Sequence, residues 1–197
     1  MTGGGKISRL YQGAAVKIIK LPYEEVDWLG IQATRLNAHL LRTIFRKVAY
    51  PVVLDSNPPS TLPASLGPYP KKPVKNNWKV LIGAGWRPGW STDYIAVLLA
   101  KRFKVKEIID AGNILFVYNE DLLKYKNALA IKRISWKDYR KLVAPKWIPG
   151  LAAPIDPIAT KLAQKLKIRA LIIKGTELKN LEKVISGKKF KGTLIEP

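Results

Sequence analysis

The stretch whose residue types point most directly to chemistry is glycine-rich and runs from Gly83 to Asp93. It follows an apolar run, residues 78–82, that predicts a buried strand. It precedes residues 93–102, which predict a helix capped by Thr92 or Asp93. A strand, a glycine-rich turn and a helix N-terminus together present backbone N–H groups and a positive dipole end, which favour an anion such as phosphate. The same pattern is also typical of a tight strand-to-helix connection without a ligand.

This stretch resembles the substrate-phosphate loop of archaeal UMP kinases, in the amino acid kinase superfamily, which typically reads Gly-Gly-Thr-His-Pro-Gly-His-Thr-Thr-Asp. Residues 3–9 are similar to the second glycine loop of that family. Residues 27–38 are similar to its Asp-x-x-Gly-Ile-x-x-Thr-Arg-x-Asn-Ala segment, which is the most specific match. Residues 156–161 and 192–197 also agree, so the resemblance covers nearly the whole chain.

The resemblance implies a single amino acid kinase-like domain over residues 1–197, with a three-layer α/β/α sandwich around a mostly parallel sheet. The alternation of predicted strands and helices favours the same α/β class. The family has a first strand and another glycine loop before the segment that Gly3 begins. Met1 and Thr2 stand where the following strand should end. The sequence leaves open whether the first strand lies upstream of an under-called start or is missing.

Charge is the most unusual feature of the composition. The 197 residues include 35 Lys and Arg against 14 Asp and Glu, a formal net charge of +21. Such an excess costs self-repulsion unless a polyanion neutralises it, and it is the usual electrostatic mark of a nucleic-acid binder. The alternative is the Lys-rich surface of a thermophile, but that surface normally carries matching Glu for ion pairs.

Several classes of protein are disfavoured. The chain has no Cys and one His, which argues against disulfides and against a zinc centre, and we predict no metal site built by the protein. No apolar run approaches the roughly 18 residues that a membrane span needs. The N-terminus lacks the pattern of a signal peptide, so we expect a cytoplasmic protein.

Two helices are predicted in the first half of the chain. Lys6–Lys20 has Leu10, Ala14 and Ile18 on one side. Gly30–Val48 is the most strongly predicted helix. One of its faces carries Arg35, Arg42 and Arg46, and three roles stay open for that face: it is solvated, it meets phosphates, or it contacts another subunit. Its apolar stripe consists of Leu36, Leu40, Leu41, Ile44 and Val48.

The rest of the chain alternates between predicted strands and helices. Strands are expected at residues 51–54, 107–111, 114–118 and 169–174, and helices at residues 136–142 and after Asp156-Pro157, an N-cap followed by proline. The last helix is expected to be capped by Thr176 and ended by Gly187. Its inward residues are expected to be Leu178, Leu181, Val184 and Ile185.

The resemblance implies a nucleotide and phosphate site, with ATP and Mg²⁺ as cofactors if kinase activity is retained. The predicted binding residues are Gly4, Gly5, Arg9, Asp27, Arg87, Ser91, Thr92, Tyr118 and Asp121.

Two departures from the family pattern count against ordinary catalysis, so we assign no catalytic residue. In the central loop, Trp86-Arg87 replaces the family's Thr-His, and Trp90 replaces its second His. At the nucleotide site, Leu115-Phe116 replaces an Asp-Gly pair whose aspartate helps to organise the phosphates in related kinases.

Residues 56–77 contain six prolines, which exclude a regular helix, and we interpret them as a Pro-rich basic loop insertion. A basic loop with nearby aromatic residues suits an RNA backbone, although a plain surface loop is the alternative. The predicted RNA-binding residues are Lys71, Lys72, Lys75, Lys79, Trp86, Trp90, Lys188, Lys189 and Lys191.

These observations lead to three hypotheses. The first is a non-catalytic UMP-kinase-like protein that binds RNA, with rRNA and ribosomal proteins among its candidate partners. The second is an active UMP kinase that converts ATP and UMP to ADP and UDP and, as in its family, forms a homo-oligomer. The third is a nucleotide-sensing or oxyanion-storing paralogue.

Overall fold

The chain folds into mixed α/β structure in two units, residues 1–95 and residues 96–197. The computed structural model describes residues 1–56, 78–120, 125, 127–145 and 153–197. The predicted Pro-rich insertion lies outside these residues from position 57 onwards, and the expectation of one domain over residues 1–197 stays a prediction.

The first unit is built from two helices and two extended segments. The helices are α1 (Gly5–Ile18) and α2 (Tyr23–Ile44). The extended segments run side by side, with parallel bridges from Ala49 to Val80 and from Leu54 to Gly83. This agrees with strands predicted at residues 51–54 and 78–82. Their buried side chains form one cluster with a residue of α2: Ala38, Ala49, Val53, Ile82 and Ala84.

The apolar stripe predicted for α2 is wrong as a core face. Leu36, Leu40 and Ile44 are 61%, 59% and 62% exposed. The buried face instead consists of small or short residues: Gly30, Ile31, Ala33, Thr34 and Ala38. The reason is the close approach of α1, because a Cβ at Gly30 would lie 2.8 Å from the Gln12 side chain. The helix also begins at Tyr23, seven residues before the predicted start.

Helix α1 begins one residue before and ends two residues before the predicted bounds, Lys6–Lys20, and none of its side chains is fully buried. Leu10 and Ile18, predicted to lie on one side of it, are 70% and 84% exposed. A polar contact joins α1 to α2, since Gln12 Nε2 donates a hydrogen bond to the Val26 carbonyl at 2.9 Å.

The second unit contains a four-stranded sheet in the order β1-β5-β6-β4. Two of its pairings are parallel, β1 with β5 and β4 with β6, and the central β5–β6 pairing is antiparallel. The predicted mostly parallel sheet is thus confirmed. The strands are β1 (Glu107–Gly112), β4 (Arg133–Ser135), β5 (Arg169–Lys174) and β6 (Thr193–Glu196).

A short antiparallel pair accompanies this sheet. It consists of β2 (Val117–Tyr118) and β3 (Ala130–Ile131). The strand predicted over residues 114–118 is therefore reduced to its last two residues. Among the described helices, none is long and apolar enough to cross a membrane.

Four further helices complete the described chain. Helix α3 (Thr92–Arg102) follows the glycine-rich stretch, and α4 (Trp136–Leu142) has the predicted bounds. Helix α5 (Pro157–Leu166) begins as predicted, because the Asp156 carboxylate accepts the N–H groups of Ile158 and Ala159 at 2.7 and 3.0 Å.

Helix α6 (Leu178–Ile185) corrects two predictions. Its N-cap is Glu177 rather than Thr176, and no side chain bonds there. Leu178 and Ile185 are 71% and 72% exposed, while Val184 packs with Leu171 and Ile173. Eight residues make only about two turns, so a single row of side chains reaches the sheet.

The caps of α5 and α6 give a matched test of the local energetics. Asp156→Ala removes two capping hydrogen bonds and should lower the free energy of unfolding by about 1–2 kcal/mol. Glu177→Ala removes no capping bond and should change it by less than about 0.5 kcal/mol. Urea denaturation of both variants measures the difference. Equal losses would show that the Asp156 cap does not stabilise α5.

Candidate functional site

The glycine-rich stretch in the first unit leaves one extended segment and enters α3. Leu54 N–H donates to Ile82 O at 2.8 Å and Ala84 N–H donates to Leu54 O at 3.0 Å, so the stretch starts from a fixed backbone. Gly89 has φ +81°, in the left-handed region that favours glycine. The chain then enters α3, where the Ser91 hydroxyl accepts the Tyr94 N–H at 3.0 Å. Ser91 therefore provides the cap predicted for Thr92 or Asp93.

Helix α2 holds this loop at several backbone positions. The Asp27 carboxylate accepts the Gly89 N–H at 2.8 Å, and the Thr34 hydroxyl accepts the Gly85 N–H at 2.7 Å. Burial raises the pKa of Asp27, and the Gly89 hydrogen bond opposes that rise by favouring the carboxylate. A Cβ at Gly85 would lie 2.9 Å from the Thr34 hydroxyl, so the close contact requires glycine.

Arg35 is the second anchor of the loop. Its guanidinium donates to Gly85 O at 3.3 Å and to Trp86 O at 3.4 Å, and it pairs with the Asp55 carboxylate at 3.7 Å. Arg42, two turns further along α2, also binds a backbone carbonyl group of the first unit, since its Nε donates to Pro51 O at 3.0 Å. The arginine face predicted to be solvated or to meet phosphates is thus partly committed to contacts inside the first unit.

The N-terminal glycines start beside the same loop. The Thr2 N–H and hydroxyl both donate to Gly83 O at 3.0 Å. The Asn37 amide of α2 donates to Gly3 O at 2.7 Å. Gly4 and Gly5 then open α1, whose N-terminus has no side-chain cap, and Gly5 has φ +59°. The chain just before the N-terminal glycines is therefore bonded to the start of the second glycine-rich segment, and both segments are bonded to α2.

Arg87 and the aromatic residues of the loop have separate roles. Trp86 is 7% exposed and its indole N–H donates to Leu54 O at 3.1 Å, so it cannot offer a stacking face to RNA in this conformation. Trp90 is half-buried between Trp86 and Tyr94, with ring centroids 6.1 and 5.1 Å away. The exposed Arg87 guanidinium lies 4.7 Å from the Trp90 ring centre, an arrangement that orients its charge.

The predicted nucleotide residues fall into three groups. Six of them, Gly4, Gly5, Asp27, Arg87, Ser91 and Thr92, belong to the loops and helix ends just described. Arg9 lies exposed on α1, one turn beyond Gly5. Tyr118 belongs to β2 of the second unit, half-buried beside the Phe116 ring at 6.5 Å, and Asp121 lies outside the described residues.

The predicted RNA-binding residues also lie in separate parts of the chain. Lys71, Lys72 and Lys75 lie outside the described residues. Lys79 is exposed in the first unit, and its backbone N–H donates to Val48 O at 2.8 Å. Lys188, Lys189 and Lys191 are exposed beyond the end of α6.

No group of three or more His, Cys, Asp or Glu that could hold a metal ion occurs among the described residues. A magnesium ion usually takes one or two carboxylates together with substrate phosphates and waters. A magnesium ion that arrived with ATP would therefore take most of its ligands from phosphates and waters.

Asp110 is a half-buried acid that the sequence reasoning missed. It lies within β1, where burial raises the pKa of its carboxyl to about 6. The detectable signal was an acidic residue between apolar residues in the middle of the strand Glu-Ile-Ile-Asp-Ala-Gly, residues 107–112. Burial disfavours the charged form, so ionisation of Asp110 costs folding energy above this pKa.

Comparison with known proteins places the chain in a family. The profile of the amino acid kinase family matches residues 1–174, spanning both units, and the chain belongs to that family.

Within the family, the similar proteins are uridylate kinases, as the sequence predicted. The uridylate kinase of Hyperthermus butylicus is 30% identical over 195 residues, covering 99% of this chain and 80% of that protein. That of Staphylothermus marinus is 32% identical over 197 residues, covering 100% of this chain and 83% of that protein.

Solved structures agree. The uridylate kinase from Archaeoglobus fulgidus superposes with a TM-score of 0.75 at 29% identity, covering 98% of this chain and 81% of that chain. The UMP kinase from Bacillus anthracis, at 20% identity, shares the fold, with a TM-score of 0.72 over 98% of this chain and 77% of its own.

The raised pKa of Asp110 predicts a specific pH dependence of stability. The folded chain binds this proton more tightly than the unfolded chain, whose Asp pKa is about 3.9, so stability is lost as pH rises from about 4 through 6. Asp110→Asn should therefore raise the free energy of unfolding at pH 7–8 by up to about 3 kcal/mol, and the gain should vanish near pH 4.

Urea denaturation between pH 4 and 8 measures this difference. The control is Glu120→Gln, which removes the same charge from an exposed side chain of the same unit. A gain that is independent of pH, or an equal gain in the control, would contradict the assignment to Asp110.

Proposed function

We propose that the chain is a nucleoside-monophosphate kinase that transfers a phosphoryl group from ATP to UMP, with UMP bound in the first unit. The observation that carries the proposal is the bonding of both glycine-rich segments to one another, from Thr2 to Gly83. The similarity to uridylate kinases at 30–32% identity supports an active UMP kinase better than a non-catalytic RNA-binding protein.

The acceptor phosphate has suitable donors in the first unit. The N-termini of α1 and α3 follow the two glycine-rich segments, and the first N–H groups of a helix have no intrahelical acceptor. Arg87 adds a full positive charge beside them, held over Trp90. The half-exposed Asp27 carboxylate accepts from Gly89 and has lone pairs for a sugar hydroxyl of the nucleotide.

The reaction asks little covalent chemistry of the protein. A phosphate oxygen of UMP forms a bond to the γ-phosphorus of ATP while the bond to the β–γ bridging oxygen breaks, giving UDP and ADP. Such transfer is accelerated by positioning and by charge stabilisation. Mg²⁺ bound with ATP would supply positive charge that offsets the charge on the phosphates.

Leu115 and Phe116 limit the rate that we expect. They are half-buried packing residues, with the Phe116 ring edge-on to Tyr118, and neither can bind a metal ion or a phosphate. One electrostatic contribution found in related kinases is therefore absent at these positions, and we expect UDP to form slowly.

Binding of UMP tests the acceptor site. Calorimetric titration should give saturable UMP binding, and Arg87→Gln should weaken it about tenfold because one charge-assisted contact is lost. Binding of uridine, which has no phosphate, should be unaffected by the substitution. Arg46→Gln, which removes an exposed arginine of the same unit, is the matched control.

Turnover tests the reaction itself. Phosphorus NMR of the chain with UMP, ATP and Mg²⁺ should show UDP and ADP forming in equal amounts. Absence of UMP binding would overturn the whole proposal. UMP binding without UDP would overturn the kinase and leave a nucleotide-binding protein.

A second function, binding of RNA, has support from a different observation, the net charge of +21. A charge of this size attracts phosphate backbones of any sequence and makes the binding depend steeply on salt. The two functions use separate features of the molecule, since the acceptor site is a set of loops and the charge is a property of the surface.

A further inference from the structure

A basic groove lies in the second unit, between the N-terminal half of α6 and residues 187–191. Its volume is about 770 Å³, and it is lined by Thr176, Glu177, Leu178, Lys179, Asn180, Lys183, Lys189, Phe190 and Lys191. We propose that this groove, which we call the α6 groove, binds the phosphodiester backbone of single-stranded RNA. The inference rests on the second proposed function and names its site.

Charge is the first argument. The lining has four lysines and one acid. No ion pair within 4.0 Å is formed by these lysines in the described part of the chain. Lys179 and Lys183 are one turn apart on α6, about 6 Å along its axis. Several ammonium groups around one groove favour a partner with several phosphates over a single anion.

The backbone on one side of the groove is held in place by hydrogen bonds to α6. Asn180 is 7% exposed, and its amide donates to Lys191 O at 2.7 Å and accepts the Lys191 N–H at 2.8 Å. Gly187 has φ +66° and lets the chain leave α6 sharply. A Cβ at Gly192 would lie 2.2 Å from Ile172 O, so the segment after the groove is pressed against β5.

Apolar side chains make the groove suitable for unpaired bases. Leu178, at the start of α6, is 71% exposed and lines the groove. Phe190 is half-buried against the cluster of Leu171, Ile173 and Val184, which fixes its ring at the wall of the groove. Positive charge combined with an aromatic ring is the common feature of surfaces that bind single-stranded nucleic acid.

The experiment compares two triple variants that have the same net charge. The first replaces Lys179, Lys183 and Lys189 with glutamine. The second replaces Lys132, Lys137 and Lys165, which are exposed in the same unit but do not line the groove. Binding to a fluorescein-labelled 12-nucleotide RNA of mixed sequence is measured by anisotropy from 50 to 300 mM salt.

The groove variant should bind the RNA at least tenfold more weakly at 100 mM salt. The slope of log K against log salt should fall by about 2, because each single-strand phosphate contact contributes about 0.7. The control variant should lose less than about threefold. Saturating UMP and ATP should not displace the RNA, and both variants should retain the UMP affinity of the original chain.

Other outcomes overturn the inference in distinguishable ways. Equal losses in the two variants would show that net charge acts without a site, and RNA binding would stand while the groove fails. No binding of RNA by the original chain would remove both. Binding of the groove lysines to phosphatidylserine vesicles without any binding of RNA would identify a membrane surface as the partner.

Discussion

The loop of residues 83–91 depends on backbone hydrogen bonds that its own residues cannot supply. Its glycine and alanine residues have no polar side chains, so their backbone groups are held by donors and acceptors from elsewhere, and α2 provides several of them. Asp27 accepts from Gly89, Thr34 accepts from Gly85, and Arg35 donates to two carbonyl groups. A loop held in this way needs little reorganisation to receive a phosphate.

This constraint also explains the composition of the buried face of α2. Polar contacts of 2.7–2.8 Å between α2 and the loop require that the two backbones lie close together. Thr34 and Ile31 of α2 lie against Gly85, where a Cβ would be 2.9 Å from the Thr34 hydroxyl. Gly30, in contrast, accommodates the Gln12 side chain of α1. The conformation of the loop and the packing of the helix are therefore a single structural requirement.

Much of the fold could be predicted from the sequence where local chemistry decides it. The Asp156-Pro157 pair begins α5 because an N-cap and a proline act within one turn, and the bounds of α4 follow from a capping serine and a buried Trp136. The leucine stripe of α2 was misassigned for the opposite reason. Hydrophobic periodicity identifies a helix, but only tertiary contact decides which side of it is buried.

The residues of the candidate site also divide into those that a local motif reveals and those that only tertiary contacts reveal. Asp27, Arg87 and Ser91 could be found by resemblance because they lie within recognisable motifs. Thr2 could not, since its role comes from contact with Gly83, 81 positions away. Asn37 lies within the matched segment 27–38, but its bond to Gly3 O, 34 positions away, is visible only in the structure. Trp86 was mistaken for a stacking residue because a sequence does not reveal that its ring is enclosed.

The exposed leucines of α2 have a consequence for how the chain tolerates change over evolution. Selection for folding acts on volume at Gly30, where an added methyl group would meet the Gln12 side chain, and at the buried Ala33 and Ala38. At Leu36, Leu40 and Ile44, which project from the first unit, folding alone places little restriction on the side chain. If descendants of this chain keep large apolar residues at these three positions, selection acts there on a property other than folding.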